Sequence, residues 1–137
     1  MSLVLDCSIT MAWLYSEETT PAVQKIFEPI ENGGAWVPSI WRLEVANVLE
    51  LDVRRGRRDP AFRDAMLEDL DVFPISIDAE TDRQAWTSTL RLAILHKLTV
   101  YDAAYFELAK RRQVPLATLD RELRKAAADE GVHLLGL

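Results

Sequence analysis

The sequence predicts a three-layer α/β/α sandwich around a central parallel sheet of four or five short strands. Short apolar runs such as Leu3-Val4-Leu5 and Ala35-Trp36-Val37 recur along the chain, which is the pattern of strands buried on both faces. Longer stretches with apolar residues at helical spacing separate them, and strands that alternate with helices pair in parallel. The 137 residues suit one domain with one buried core, taken here as residues 1–137. A composition of 49% hydrophobic and 28% charged residues is that of an ordinary globular protein.

Taken in order, Leu3-Val4-Leu5 is the first strand. Ser8 can cap a helix carrying Ile9, Ala12, Trp13 and Leu14. Thr20-Pro21 reads as the N-cap and first position of a second helix bearing Val23, Ile26, Phe27 and Ile30, ended by Asn32-Gly33-Gly34. After the strand Ala35-Trp36-Val37, Ser39 opens a long helix that reaches about Arg55 and stops at Gly56. Asp59-Pro60 starts another, to about Leu70. Phe73 to Ile77 is the third strand candidate, and Asp78 caps a helix through Leu95 with Ala85, Trp86, Leu90 and Ile94 on one face. A helix from Thr99 to Arg112, a strand at Leu116-Ala117-Thr118, a helix from Asp120 to Glu130 and a strand at Val132 to Leu135 complete the pattern.

A formal net charge of -6 argues against a protein that grips duplex nucleic acid along a broad basic face, though not against a local contact. One cysteine, Cys7, allows no internal disulfide, so a reducing cytoplasm is the expected compartment. The opening Met1-Ser2-Leu3-Val4-Leu5 meets Asp6 too soon for a signal-peptide core. No apolar run approaches the roughly 20 residues of a membrane helix, so no membrane association is expected.

Four acids stand in apolar surroundings: Asp6 and Asp120 at strand ends, Glu44 inside Ile40 to Ala46, and Asp102 inside Leu98 to Tyr105. Buried carboxylates are rare unless paired, hydrogen-bonded or bound to a cation. Asp120 also suits an N-cap and Asp102 the first turn of a helix, where acids complement the dipole. Asp6 has Ser8 and Thr10 as alternative caps beside it, and Glu44 lies about one and a half turns into its helix, with Arg42 unable to face it. In open α/β sheets ligands bind beyond the carboxyl ends of the strands, which is where all four acids can meet. Two like charges about 4 Å apart repel by about 4 kcal/mol at an effective dielectric of about 20, so such a meeting needs a cation. Oxygen ligands without a His or Cys motif select Mg²⁺ or Mn²⁺ over zinc, and an open carboxylate site suits phosphodiester hydrolysis.

These residues resemble the PIN-domain nucleases, and among them the VapC-type toxins of bacterial toxin–antitoxin pairs. Leu5-Asp6-Cys7-Ser8 is similar to the family's first motif, and Pro38 with Glu44-Val45-Ala46-Asn47-Val48-Leu49 to its second. Tyr101-Asp102-Ala103-Ala104-Tyr105 with Leu108-Ala109 is similar to the third, and Pro115 to Leu123 to the fourth. Gln113 departs from the pattern, where the family commonly has Gly. The resemblance implies that Asp6, Glu44, Asp102 and Asp120 bind Mg²⁺ or Mn²⁺, and that the hydroxyls of Ser8 and Thr118 line the pocket and hold water or phosphate. It implies an RNA substrate, a homodimer, and a small VapB-type antitoxin whose tail covers the site.

The cluster Arg54-Arg55-Gly56-Arg57-Arg58, with Lys110-Arg111-Arg112 behind it, sits at helix C-termini, where cations complement the dipole. Arg54, Arg55, Arg57 and Arg58 are also candidates for contact with an RNA backbone. Trp13, Trp36, Trp41 and Trp86 are expected in the core or an interface, and Trp41 with Leu49 in a groove for a dimer or antitoxin partner. Cys7 is expected to point away from Asp6 and Ser8 and be inert. An aspartyl-phosphate mechanism wants a second Asp two residues after the first, and Ser8 occupies that place. A catalytically silent interaction module on the same fold is the remaining alternative, and four mutually repelling carboxylates argue against it.

Overall fold

The computed structural model describes residues 2–137. Five strands form one wholly parallel sheet: β1 (Leu3–Leu5), β2 (Ala35–Val37), β3 (Ile75–Ile77), β4 (Leu116–Ala117) and β5 (Leu134–Leu135), in the order β3-β2-β1-β4-β5. Between them run α1 (Cys7–Leu14), α2 (Pro21–Gly33), α3 (Trp41–Arg54), α4 (Pro60–Asp71), α5 (Thr81–Gln84), α6 (Leu90–His96), α7 (Val100–Arg112) and α8 (Arg121–Asp129). The central strand β1 is buried throughout, so its sequence reads as an unbroken apolar run. No helix is long and apolar enough to cross a membrane among the described residues.

Most helix starts follow the local chemistry of the chain. Thr20, Asp59, Thr99 and Asp120 each accept the amide three residues on, at 3.2, 2.8, 3.0 and 2.9 Å. Gly34 closes α2 at a φ of +72°, and a Cβ there would lie 2.9 Å from the carbonyl of Pro74, so only glycine fits this turn. Gln113 ends α7 at a φ of +56°. The left-handed turn that glycine makes freely is therefore present here without it, closed by the Gln113 amide on the carbonyls of Ala109 and Lys110.

Several expectations are corrected. Asp6, not Ser8, caps α1: its Oδ1 accepts the Cys7 amide at 2.7 Å, and Ser8 turns its hydroxyl onto Asp6 instead. Ser39 does not cap α3, which begins at Trp41; its amide donates to the hydroxyl of Thr81 at 3.0 Å. Glu44 consequently lies in the first turn of α3, where the dipole favours an acid. Cys7 is not in the strand but opens α1, and its thiol is pushed up to about 12 by burial and by the charges of Glu44 and Asp6. The helix expected from Asp78 to Leu95 is three pieces, with a π turn at Ala85–Thr89 between α5 and α6. Asp78 precedes it as a buried counter-ion of Arg111. Leu49 is fully buried in the core and lines no groove. Trp41 is 4% exposed and reaches only the wall of a cavity of about 210 Å³ with Val45, Ala46, Leu67 and Leu70. Trp86 is the exception among the tryptophans, 90% exposed.

Candidate active site

The parallel sheet delivers Asp6 and Asp120 to one edge, because β1 and β4 are neighbours and each acid follows its strand. α3 leaves the end of β2 on the same edge and brings Glu44, while the first turn of α7 brings Asp102.

Asp6 is 4% exposed and is the most tightly held of the four. Its Oδ2 accepts the hydroxyls of Thr118 at 2.7 Å and Ser8 at 2.8 Å, while Oδ1 takes the Cys7 amide. The same two hydroxyl oxygens accept backbone amides, Asp120 on Thr118 and Leu119 on Ser8, both at 3.0 Å. Ser8 and Thr118 therefore tie β1 to the segment after β4 and orient Asp6. Burial raises the Asp6 carboxyl above its ordinary range, against these donors, and the charge of Asp120 adds to the rise.

Glu44 is half-buried and accepts the phenol of Tyr105 through Oε1 at 2.6 Å. Its carboxyl is raised by burial first, then by the charges of Asp6 and Asp102, while the Tyr105 bond opposes the rise. Asp102, also half-buried, is raised by burial and by the charges of Asp6 and Asp120. Asp120 has one oxygen engaged in capping α8. Each acid thus lies in the field of at least one other, so the fold does bring all four to one edge. It does not pack them into a closed ligand set: among the described residues, no three Asp, Glu, His or Cys side chains are grouped closely enough to hold one ion. Hydrogen bonds to the fold hold Asp6, Glu44 and Asp120 where they stand.

The arginine cluster lies elsewhere. Ten residues of α3 separate Glu44 from Arg54, about 15 Å along the helix. Arg54 pairs with Glu50 at 2.9 Å and Arg57 with Asp52 at 3.8 Å, while Arg58 pairs with Glu17 and lies over the Tyr15 ring. Arg55 makes no ion pair among the described residues and is exposed. His96 is engaged with Glu130, and His133 is exposed.

Sequence reasoning missed Tyr105, whose signal was available: a phenol three residues after Asp102, between Ala104 and Phe106 in an apolar stretch of the helix. It also missed Trp41, whose indole donates to Thr10 Oγ1 at 3.0 Å, while that hydroxyl donates to the Asp6 carbonyl at 3.1 Å. Nothing in the local sequence announces that bond, because its partners are 31 residues apart.

Comparison with known proteins agrees with this architecture. The PIN domain pattern matches residues 3–129. Ribonuclease VapC3 of Pyrobaculum aerophilum is 34% identical over 125 residues, covering 90% of this chain and 92% of that protein. Among solved structures, one from Pyrobaculum aerophilum superposes with a TM-score of 0.71 at 24% identity, over 98% of this chain and 89% of that one. VapBC2 from Rickettsia felis, bound to a DNA fragment from its promoter, reaches 0.67 at 12% identity, over 98% and 97%.

Proposed function

Because the chain belongs to the PIN domain family, we propose that it is a divalent-metal-dependent endoribonuclease, acting in the cytoplasm as the toxin of a toxin–antitoxin pair. The observation that carries this reading is the mutual field of Asp6, Glu44, Asp102 and Asp120 at the carboxyl edge of the sheet. Similarity to a ribonuclease over 90% of the chain supports the substrate class. The alternative of a silent interaction module leaves that field without a purpose.

The donor set fits Mg²⁺ or Mn²⁺, since it is all oxygen, and the raised carboxyls are what a cation would relieve. When bound, the ion would supply a Lewis acid for phosphodiester hydrolysis. Asp6 would be its fixed ligand, immobilised by Ser8, Thr118 and the Cys7 amide, with Glu44, Asp102 and Asp120 completing the set directly or through the ion's bound waters. Arg55, with Arg54, Arg57 and Arg58 around it, would meet the RNA backbone away from the scissile bond, as the distance along α3 requires. Cleavage of single-stranded RNA by the purified protein should depend on Mg²⁺ or Mn²⁺ and vanish with EDTA. The same ions should raise the melting temperature, since a ligand at about 100 times its Kd stabilises by about 2.7 kcal/mol. Metal-independent cleavage together with an unmoved melting temperature would remove the reading.

The proposed partners are a small VapB-type antitoxin, whose basic side chain would answer the unbalanced acids, and a second copy of the chain. For the second copy the supporting surface is not the Trp41 side of α3. Trp86, Leu90 and Ile94 recur every four residues along the π turn and α6, 90%, 38% and 71% exposed. They continue into Leu95, Val100 and Tyr101, also exposed, beside Asp102. A contiguous exposed apolar stripe of this kind marks a protein contact. Sedimentation equilibrium should show a dimer that Trp86→Lys with Ile94→Lys converts to monomer; a dimer unchanged by both substitutions would exclude this face.

A further inference from the structure

We propose that Tyr105 is a positioning residue that locks one oxygen of Glu44 to the core and leaves the other to the acidic site. The inference rests on the reading that these acids hold a divalent ion. Tyr105 is completely buried, and its phenol donates to Glu44 Oε1 at 2.6 Å. A buried phenol needs a partner, and this one has chosen a carboxylate 61 residues away. Hydrogen bonds to ionised groups are about twice as strong as neutral ones, so the bond resists rotation of Glu44 about its side-chain torsions.

The placement on the helices gives the bond its consequence. Tyr105 follows Asp102 by three residues on α7, so the two side chains share a helix face. One rigid helix therefore carries an acid of the site and the donor that anchors another, and the separation of Asp102 from Glu44 is set by α7 itself. The first turn of α3 is tied a second time through Trp41, whose indole reaches Thr10 beside the Asp6 carbonyl. Glu44 is thus referenced to Asp102 through Tyr105 and to Asp6 through Trp41. A glutamate has three side-chain torsions to freeze, and without the phenol each ion bound would have to freeze them anew.

Tyr105→Phe removes one oxygen from an otherwise apolar, well-filled site and preserves the shape. Free-Mn²⁺ titration followed by electron paramagnetic resonance should show affinity weakened by about 10–100-fold, the usual effect of removing a group that orients a metal ligand. Cleavage by Tyr105→Phe should return as Mn²⁺ is raised, whereas cleavage by Asp102→Asn should not. Because Tyr105 acts through Glu44, Tyr105→Phe combined with Glu44→Gln should bind Mn²⁺ no more weakly than Glu44→Gln alone. Wild-type affinity in Tyr105→Phe, or additive losses in the double variant, would overturn the positioning role while leaving the metal site standing. A wild-type protein that binds no Mn²⁺ would overturn both.

Discussion

Asp102→Asn is expected to reduce RNA cleavage by about 100-fold or more and, at the same time, to raise the melting temperature of the metal-free protein. The first effect follows from scale: losing a group that merely orients a ligand costs about 10–100-fold, so losing a ligand costs at least the upper end. The second follows from electrostatics. The Asp102 carboxyl is raised by burial and by the charges of Asp6 and Asp120. A carboxyl whose folded pKa lies above its unfolded value binds more protons when folded, so stability falls as pH rises through the interval between the two. At neutral pH the ionised group opposes folding, and a neutral amide of the same shape removes that opposition. A substitution that stabilises a protein while abolishing activity is the mark of a site kept for function at a cost in stability. Calorimetry in EDTA at pH 7, alongside a gel-based cleavage assay, measures both. A variant that cleaves normally would exclude Asp102 from the site, and one that melts lower would contradict the field among the acids.

Arg111→Met is expected to destabilise the protein by about 3–5 kcal/mol, which is the range for breaking a buried ion pair by removing one partner. Arg111 reaches Asp78 at 2.6 Å and Glu107 at 2.8 Å, and those acids' side chains are only 1% and 6% exposed. Methionine keeps much of the packing, leaves Glu107 without its cation and leaves Asp78 with Arg112 alone, 3.5 Å away. The result is a large part of the total stability of an ordinary domain, about 5–15 kcal/mol. The pH dependence has a definite sign. Burial pushes the Asp78 carboxyl up, but Arg111, the Glu80 amide and the Thr81 hydroxyl outweigh it and hold the carboxyl below its ordinary value. Its contribution is therefore present above the unfolded pKa and is lost as pH falls through the depressed folded value. Urea melts of the two proteins should differ most at pH 7 and converge as the pH falls below the ordinary carboxylate range. A difference that persists unchanged in acid would show that Arg111 acts through packing.

These two residues also show where sequence reading stops. Asp102 was legible because an acid among Val100, Tyr101, Ala103 and Ala104 violates the apolar pattern of its own helix. Arg111 is one of three cations at a helix end, and while Glu107 lies one turn before it, nothing nearby reveals its second carboxylate partner, Asp78, 33 residues upstream. The same limit explains the corrections in the fold. Asp6 and Ser8 are equal N-caps by propensity, and position decides between them: Asp6 at the end of β1 faces the amide of Cys7, and Ser8 donates to Asp6. Asp78 was the better cap for its helix until Arg111 and burial claimed its oxygens.

What the sequence determined by itself was of short range: which runs make strands, where the helices beginning near Thr20, Asp59, Thr99 and Asp120 start, and which four acids break the apolar pattern. Periodicity, turn chemistry and burial preference act within a few residues, so they can be read directly along the chain. Tertiary structure alone decided how those acids stand to one another. Asp6 is clasped by Ser8 and Thr118, Glu44 is bound to Tyr105, and all four share one field without closing into a ready ligand set. Those relations depend on strand order and helix placement between residues scores of positions apart, and charge repulsion acts through space, where sequence distance has no meaning.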